Sequence, residues 1–184
     1  SIVRGQIYVG GIVGESSGTF ENCTNEADVI ATNIHAGGIV ASASSNDATI
    51  TNCHNTGNIK GMAYVGGIAG SCFANVTNCT NTGDVEGSGT YGVGGIIGIT
   101  TSQYSVTVKG CYNTGNITST LKGYAYVGGI VGSFPNANAR GTIEDCYNTG
   151  TVTADPTSSY CSGGLLGGGY GNIYDSFNTG TVIG

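Results

Sequence analysis

The sequence predicts an all-β fold, a parallel β-solenoid (β-helix) of about six turns with a period of about 30 residues, and three observations predict it. Gly-Gly followed by two aliphatic residues and a small one occurs six times, beginning at Gly10, Gly37, Gly66, Gly94, Gly128 and Gly163. A second motif follows each copy and registers on Cys23, Cys53, Cys79, Cys111 and Cys146, with Ser176 in the sixth copy. Around that position the pattern is strict. An apolar residue stands three before it (Phe20, Ile50, Val76, Val108, Ile143, Ile173), and another six after it (Val29, Ile59, Val85, Ile117, Val152, Val182). Asparagine stands two after it in every copy: Asn25, Asn55, Asn81, Asn113, Asn148 and Asn178. The third observation is that Val, Ile and Thr dominate the segments between glycines, and these residues favour pleated, half-buried surfaces. Self-similarity at this period is the mark of a repeat architecture.

The elements follow in order within one copy. The Gly-Gly segment reads as a strand, as over 64–70, and a variable connection leads to a second strand, as over 76–79. An Asn-Thr-Gly corner then leads to a third short strand around Val85. Stacking at ~4.8 Å per turn places each residue on its own copy, which explains identity at equivalent positions better than an antiparallel sandwich does. The stacked asparagines are expected to form a column bonded amide to amide. Gly57 and its counterparts are expected to take φ > 0 at the corner. Ile12 and Val13 and their counterparts are both apolar, although adjacent strand residues point to opposite faces. Either a loop or a neighbouring layer covers one column, or it forms an apolar stripe awaiting a partner.

Composition narrows the classes of function. The 184 residues suit a single solenoid array, 1–184, with 9% charged residues, 35 Gly and 2 Pro. With net charge −6 and only 5 Lys plus Arg, no basic stripe is present to meet a phosphate backbone, which argues against nucleic acid and anionic membrane surfaces. No apolar run approaches the ~18 residues of a spanning helix. The chain begins with Ser and shows no secretory leader, which suggests a processed product or a piece of something longer. Six near-copies of one unit also leave little sequence free for a single asymmetric catalytic site.

The residues 126–132 (Tyr-Val-Gly-Gly-Ile-Val-Gly) followed by 146–150 (Cys-Tyr-Asn-Thr-Gly) resemble the GLUG repeat family. The first copy departs from the pattern with Glu26 and Ala27, and the second with His35, Ala36 and Ala41. The family occurs in large secreted or surface proteins of bacteria, including adhesin-like proteins and non-catalytic regions of IgA-specific zinc metallopeptidases. The resemblance implies an extracellular or cell-surface setting and a structural or adhesive role. It carries over no catalytic residue, since His-Glu-x-x-His is absent.

Each candidate chemistry stands beside a plainer reading. Stacked cysteines lie within bridging distance of one another, but a column in which Ser176 substitutes reads better as buried thiols. Pairwise bridges, or a bond from Cys72 or Cys161, are the alternative. No Cys-x-x-Cys pair exists, and the two histidines, His35 and His54, do not suggest zinc. Glu144 and Asp145, with Glu21 and Asp175 in related places, could serve a polysaccharide-cleaving pair. The residues before the cysteine column (Asn22, Asn52, Asn78, Gly110, Asp145, Asp175) read better as turn chemistry. Asp145 and Asp175, on neighbouring turns, are a weak calcium candidate. Tyr112, Tyr147 and Phe177 fall in three consecutive turns and could stack on sugar rings, with inter-strand stacking for stability as the plainer reading. Tyr8, Tyr64 and Tyr126 precede Gly-Gly. No cofactor is indicated.

No polar or helical cap is evident at either end, and the array holds a whole number of repeats cut mid-repeat. Copies of the chain stacking head to tail are one expectation from this phase match, and a segment of a longer array is the other. The expected function is a non-enzymatic extracellular stalk, fibre subunit or adhesive module. A glycan-binding domain is the alternative, and a polysaccharide-active enzyme ranks third.

Overall fold

The computed structural model describes residues 1–89, 91–100, 103–157 and 161–184. Among these residues every regular element is a short strand, and the strands assemble into five parallel sheets, one of seven strands and four of six. Successive members of each sheet come from successive repeats. Asn55, for example, pairs in register with Asn25 on one side and Asn81 on the other. The six-turn parallel solenoid is therefore the observed architecture. Among the described residues no helix is long and apolar enough to cross a membrane.

One coil contains more strands than the sequence pattern suggests. The third coil runs through Ile59–Gly61, Tyr64–Gly66, Ala69–Cys72, Asn75–Thr77 and Thr80–Asn81 before the next begins at Val85–Gly87. The expected strand over 64–70 is thus two strands with a bend at Gly67 and Ile68. That bend resolves the doubled apolar columns. At the equivalent corner, the amides of Ile39 and Val40 both donate to the Ile68 carbonyl, at 3.0 and 3.1 Å. Two successive N–H groups on one acceptor form a bulge, which turns consecutive side chains to the same side. Ile39, Val40, Ile68, Ala69, Ile96, Ile97, Ile130 and Val131 are all fully buried in one cluster. In these central coils the doublet is neither a loop-covered outer column nor a stripe awaiting a partner. Both residues point inward.

The interior holds two separate apolar clusters. The larger unites Ile39, Ile50, Cys53 and their copies, and the smaller unites Val29, Ile59, Val65 and theirs. The asparagines run between, with Asn55, Asn81, Asn113 and Asn148 at 0% exposure. Their side chains press against the second glycine of Gly-Gly. A Cβ on Gly38 would stand 2.5 Å from Asn55 Cγ and 2.1 Å from the Gly67 carbonyl oxygen. The two repeated motifs are therefore one contact, in which a glycine with no side chain admits an amide that crosses the waist of the coil.

The left-handed corner is one residue before the cysteine column, not at Gly57. Asn22, Asn52, Asn78, Gly110, Asp145 and Asp175 take φ between 47° and 62°. Asn, Asp and Gly are the residues that visit this region at low cost, which bears out the turn reading of this column. Gly57 has a different reason. Its Cβ would lie 2.0 Å from the Ala27 carbonyl oxygen of the coil beneath, and Gly83, Gly115, Gly150 and Gly180 repeat that approach on one another. Backbone crowding between rungs, rather than a positive φ, requires glycine there.

Candidate functional site

The asparagine column forms the ladder that the repeat implies. Asn25 Nδ2 donates to Asn55 Oδ1, and the same bond continues through Asn81, Asn113, Asn148 and Asn178 at 2.7–2.8 Å. Each Nδ2 also donates to the main-chain carbonyl two residues on, as from Asn81 to Gly83 at 2.7 Å. Both amide hydrogens and the amide oxygen are thereby satisfied in a dry interior, where an unmade bond is expensive.

The cysteine column lies beside it. All seven cysteines are free thiols, with Cys53, Cys79, Cys111 and Cys146 buried and Cys23 half-buried. The Cys53, Cys79 and Cys111 amides each donate to the sulfur of the coil above at 3.3–3.4 Å. In the last step Cys146 N–H donates to Ser176 Oγ at 2.9 Å, so serine fills the place with the same acceptor role. Burial raises the Cys111 thiol well above its ordinary range. Outside the column, burial pushes the Cys72 thiol up to about 12.

The carboxylates do not converge. Glu21 and Glu144 occupy the same column, but Thr51, Thr77 and Lys109 stand between them. Lys109 Nζ lies 2.8 Å from Glu144 and 3.6 Å from Asp145. Asp145 and Asp175 each sit at a left-handed corner. Among the described residues no cluster of three or more His, Cys, Asp or Glu side chains is placed to hold a metal ion.

Two aromatic ladders stand out on the surface. Tyr112, Tyr147 and Phe177 are brought together as expected, with centroids 4.8 and 5.3 Å apart and planes within 4° and 6° of parallel. The outer edge of the strip is open, since Phe177 is exposed. In the lower coils the same outward column carries His54 and Thr80, bonded Nδ1 to Oγ1 at 2.7 Å. The second ladder joins Tyr8, His35, Tyr64 and Tyr91, with centroids 4.6, 4.7 and 5.1 Å apart. Tyr8 and Tyr64 were visible in the sequence as residues preceding Gly-Gly, and His35 as a replacement at that position. Tyr91 was not, because it lies one residue before the register position, which Gly92 occupies. Burial holds the His35 imidazole down at about 4, and burial together with Tyr91 raises the Tyr64 hydroxyl.

The geometry agrees with what comparison finds. The model of the GLUG motif matches residues 5–30, 32–60 and 63–86, including the two copies that depart most from the pattern. No curated protein matches the chain. Among solved structures, a candidate immunoglobulin A1 protease from Bacteroides ovatus superposes over 100% of this chain with a TM-score of 0.76 at 20% identity. This chain spans 59% of that protein's length, and at such identity the likeness is one of fold. The chain thus carries three copies of the GLUG motif over residues 5–86, and three further coils continue them in the same register.

Proposed function

We propose that the chain is a non-enzymatic extracellular spacer, a rigid stalk module of a bacterial surface or secreted protein. The observation that supports this reading is the uninterrupted coil, in which each of the five sheets takes a strand from every repeat and the asparagine ladder runs from Asn25 to Asn178. Such a rod transmits position rather than chemistry, and its acids are spread along columns instead of gathered in a cleft. The Bacteroides ovatus relative bears a protease's name, so the direct test of the non-enzymatic part is incubation with immunoglobulin A1 and with polysaccharides. New peptide fragments or new reducing ends overturn it. Surface placement is tested by antibody labelling of intact source cells, where labelling only after lysis refutes it.

As a fibre subunit, stacking head to tail on copies of itself, the chain would have to seat a coil beneath its first turn. Ala27 opposes this, because its Cβ occupies the place where Gly57 leaves room for a carbonyl oxygen only 2.0 Å from an ideal Cβ. The same methyl meets a coil of a longer array, so it bears on stacking at that end and not on the choice between stalk and fibre. A second reading is an adhesive one, in which the coplanar strip of Tyr112, Tyr147 and Phe177 stacks on host or surface glycan. Tyr112→Ala and Tyr147→Ala on a glycan array test it, and binding that survives both excludes the strip.

A further inference from the structure

The second aromatic ladder borders a cavity of about 380 Å³ lined by residues of three coils, among them Asn33, His35, Met62, Tyr64, Gly89 and Tyr91. The sequence explains why it opens there. The outward column reads Tyr8, His35, Tyr64, Gly92 and Tyr126 through its strand pairing. The fourth coil thus puts a hydrogen where its neighbours put a ring. Tyr91, one residue earlier, leans back over Tyr64 at 5.1 Å, and does so at φ 98°. A bulky residue held at such an angle is a backbone outlier of the kind that collects at binding sites. Gly89 comes down on the Met62 carbonyl and closes one side.

The chemistry of the walls selects the occupant. Tyr91 is exposed, so its ring presents an open edge to solvent, and Tyr64 lies half-buried beneath it. His35 Nδ1 is buried and has no hydrogen-bond partner among the described residues. A buried polar atom of that kind calls for an explanation. Among the described residues none that lines the cavity carries a charged side chain, and the imidazole is neutral at physiological pH. Aromatic walls with neutral donors and acceptors suit a ring that is apolar on its face and hydroxylated at its rim. An extended peptide has no purchase, because Tyr64–Gly66 already pairs with a strand on each side and offers no free edge. The volume falls in the ~300–1,000 Å³ range of small-molecule sites.

We propose that this cavity binds one neutral sugar ring of a glycan, with the exposed ring of Tyr91 against its apolar face and His35, Asn33 and the rim of Tyr64, held between its two ladder neighbours, on its hydroxyls. The site is independent of the stalk reading, and shares no residue with the Tyr112 strip.

The test is titration of the whole chain with the methyl glycosides of glucose, galactose and mannose and with N-acetylglucosamine. Tyrosine fluorescence reports binding, since the chain has 11 Tyr and no Trp. The ¹⁵N shift of the His35 imidazole reports the place. Saturable binding of at least one sugar in the millimolar range or tighter is expected, with a shift at His35. Tyr91→Gly should weaken it by about tenfold or more, because it deletes the ring while glycine accepts φ 98° without strain. An unchanged or raised Tm in that variant separates lost contact from unfolding, and His35→Gln provides a second variant that keeps a neutral polar group. Tyr112→Ala should bind as the parent does. Failure of all four sugars, or binding that both Tyr91→Gly and His35→Gln leave intact, overturns the proposal. Binding lost only in Tyr112→Ala and Tyr147→Ala also overturns it, and transfers sugar recognition to the strip.

Discussion

Single side chains in this molecule are defined by the rung above and the rung below. The cysteines show it most simply. The column is lined by neighbouring sulfurs and main-chain carbonyls, and Cys53, Cys72, Cys79, Cys111 and Cys146 are buried. An alkylating reagent reacts only with a sulfur that it can reach. At neutral pH, iodoacetamide should therefore label the exposed Cys161 first and the half-buried Cys23 slowly, with the other five protected until the chain unfolds. Mass spectrometry over time checks this, and rapid labelling of Cys79 or Cys111 would contradict the packing. His35 gives a pH dependence. Its folded value of about 4 lies below the ordinary 6.5, so the folded chain binds fewer protons than the unfolded chain between those values. The stability that His35 contributes is complete above about pH 6.5 and is lost as pH falls towards 4. Solvent around the half-exposed ring softens the effect, leaving a few degrees in Tm at roughly 2–4 °C per kcal/mol for a domain of this size. His35→Phe should remove this part of the acid sensitivity in thermal melts across pH 4 to 7.

At the scale of an element, the unit of stability is the ladder and not the strand. Strands of two to four residues cannot persist alone, so each is held by parallel pairing and by the column it feeds. Asn81 sits mid-ladder, bonded to Asn55, Asn113 and Gly83. Asn81→Ala leaves an acceptor, a donor and a carbonyl unpaired in a dry waist, and should cost about 2–4 kcal/mol in urea denaturation. Asn178→Ala, at the half-buried last rung, should cost about 1 kcal/mol by the same measure, since water replaces what is lost. Equal losses at both positions would show that the ladder does not set stability. Gly67→Ala is harsher. Its Cβ would stand 2.1 Å from the Gly95 oxygen and 2.4 Å from Asn81 Cγ, and the variant should fail to fold, seen as loss of the β circular-dichroism signal. The asparagine and cysteine columns were legible in the sequence because periodicity reports stacking directly. The contact between Gly38 and Asn55 was not, because it crosses the coil and no spacing along the chain encodes it.

For the molecule as a whole, the two ends of the coil are not equivalent. The glycine column from Gly57 to Gly180 lets every upper coil rest on the carbonyl beneath, while Ala27 carries a methyl group at the same position in the first coil. A coil placed below it in register, from whatever source, meets that methyl. Size-exclusion chromatography with light scattering should therefore find the parent chain less associated than Ala27→Gly at the same concentration. If the substitution leaves association unchanged, the methyl is not what limits stacking at that end. The strip of Tyr112, Tyr147 and Phe177 and the cavity beside Tyr91 lie in different sheets, the first on the asparagine strands and the second on the strands that precede Gly-Gly. The coil thus carries its two aromatic ladders on different sheets.

The sequence by itself determined the class of fold, the number of coils, the register and the identity of each column, because a side chain that must rest on its own copy imposes a period that can be counted. It also marked the column of Asn, Asp and Gly before the cysteines as a turn, but assigned the left-handed conformation to Gly57 and its counterparts, where the structure does not have it. Only the tertiary structure decided that each coil has five sides, that the doubled aliphatic pair turns wholly inward at a bulge, and that the glycine after Asn-Thr is needed for inter-rung crowding. It alone placed His35, Tyr64 and Tyr91 around one cavity. Those features depend on distances across the coil and between loops of unequal length, and such distances follow from how the chain closes on itself.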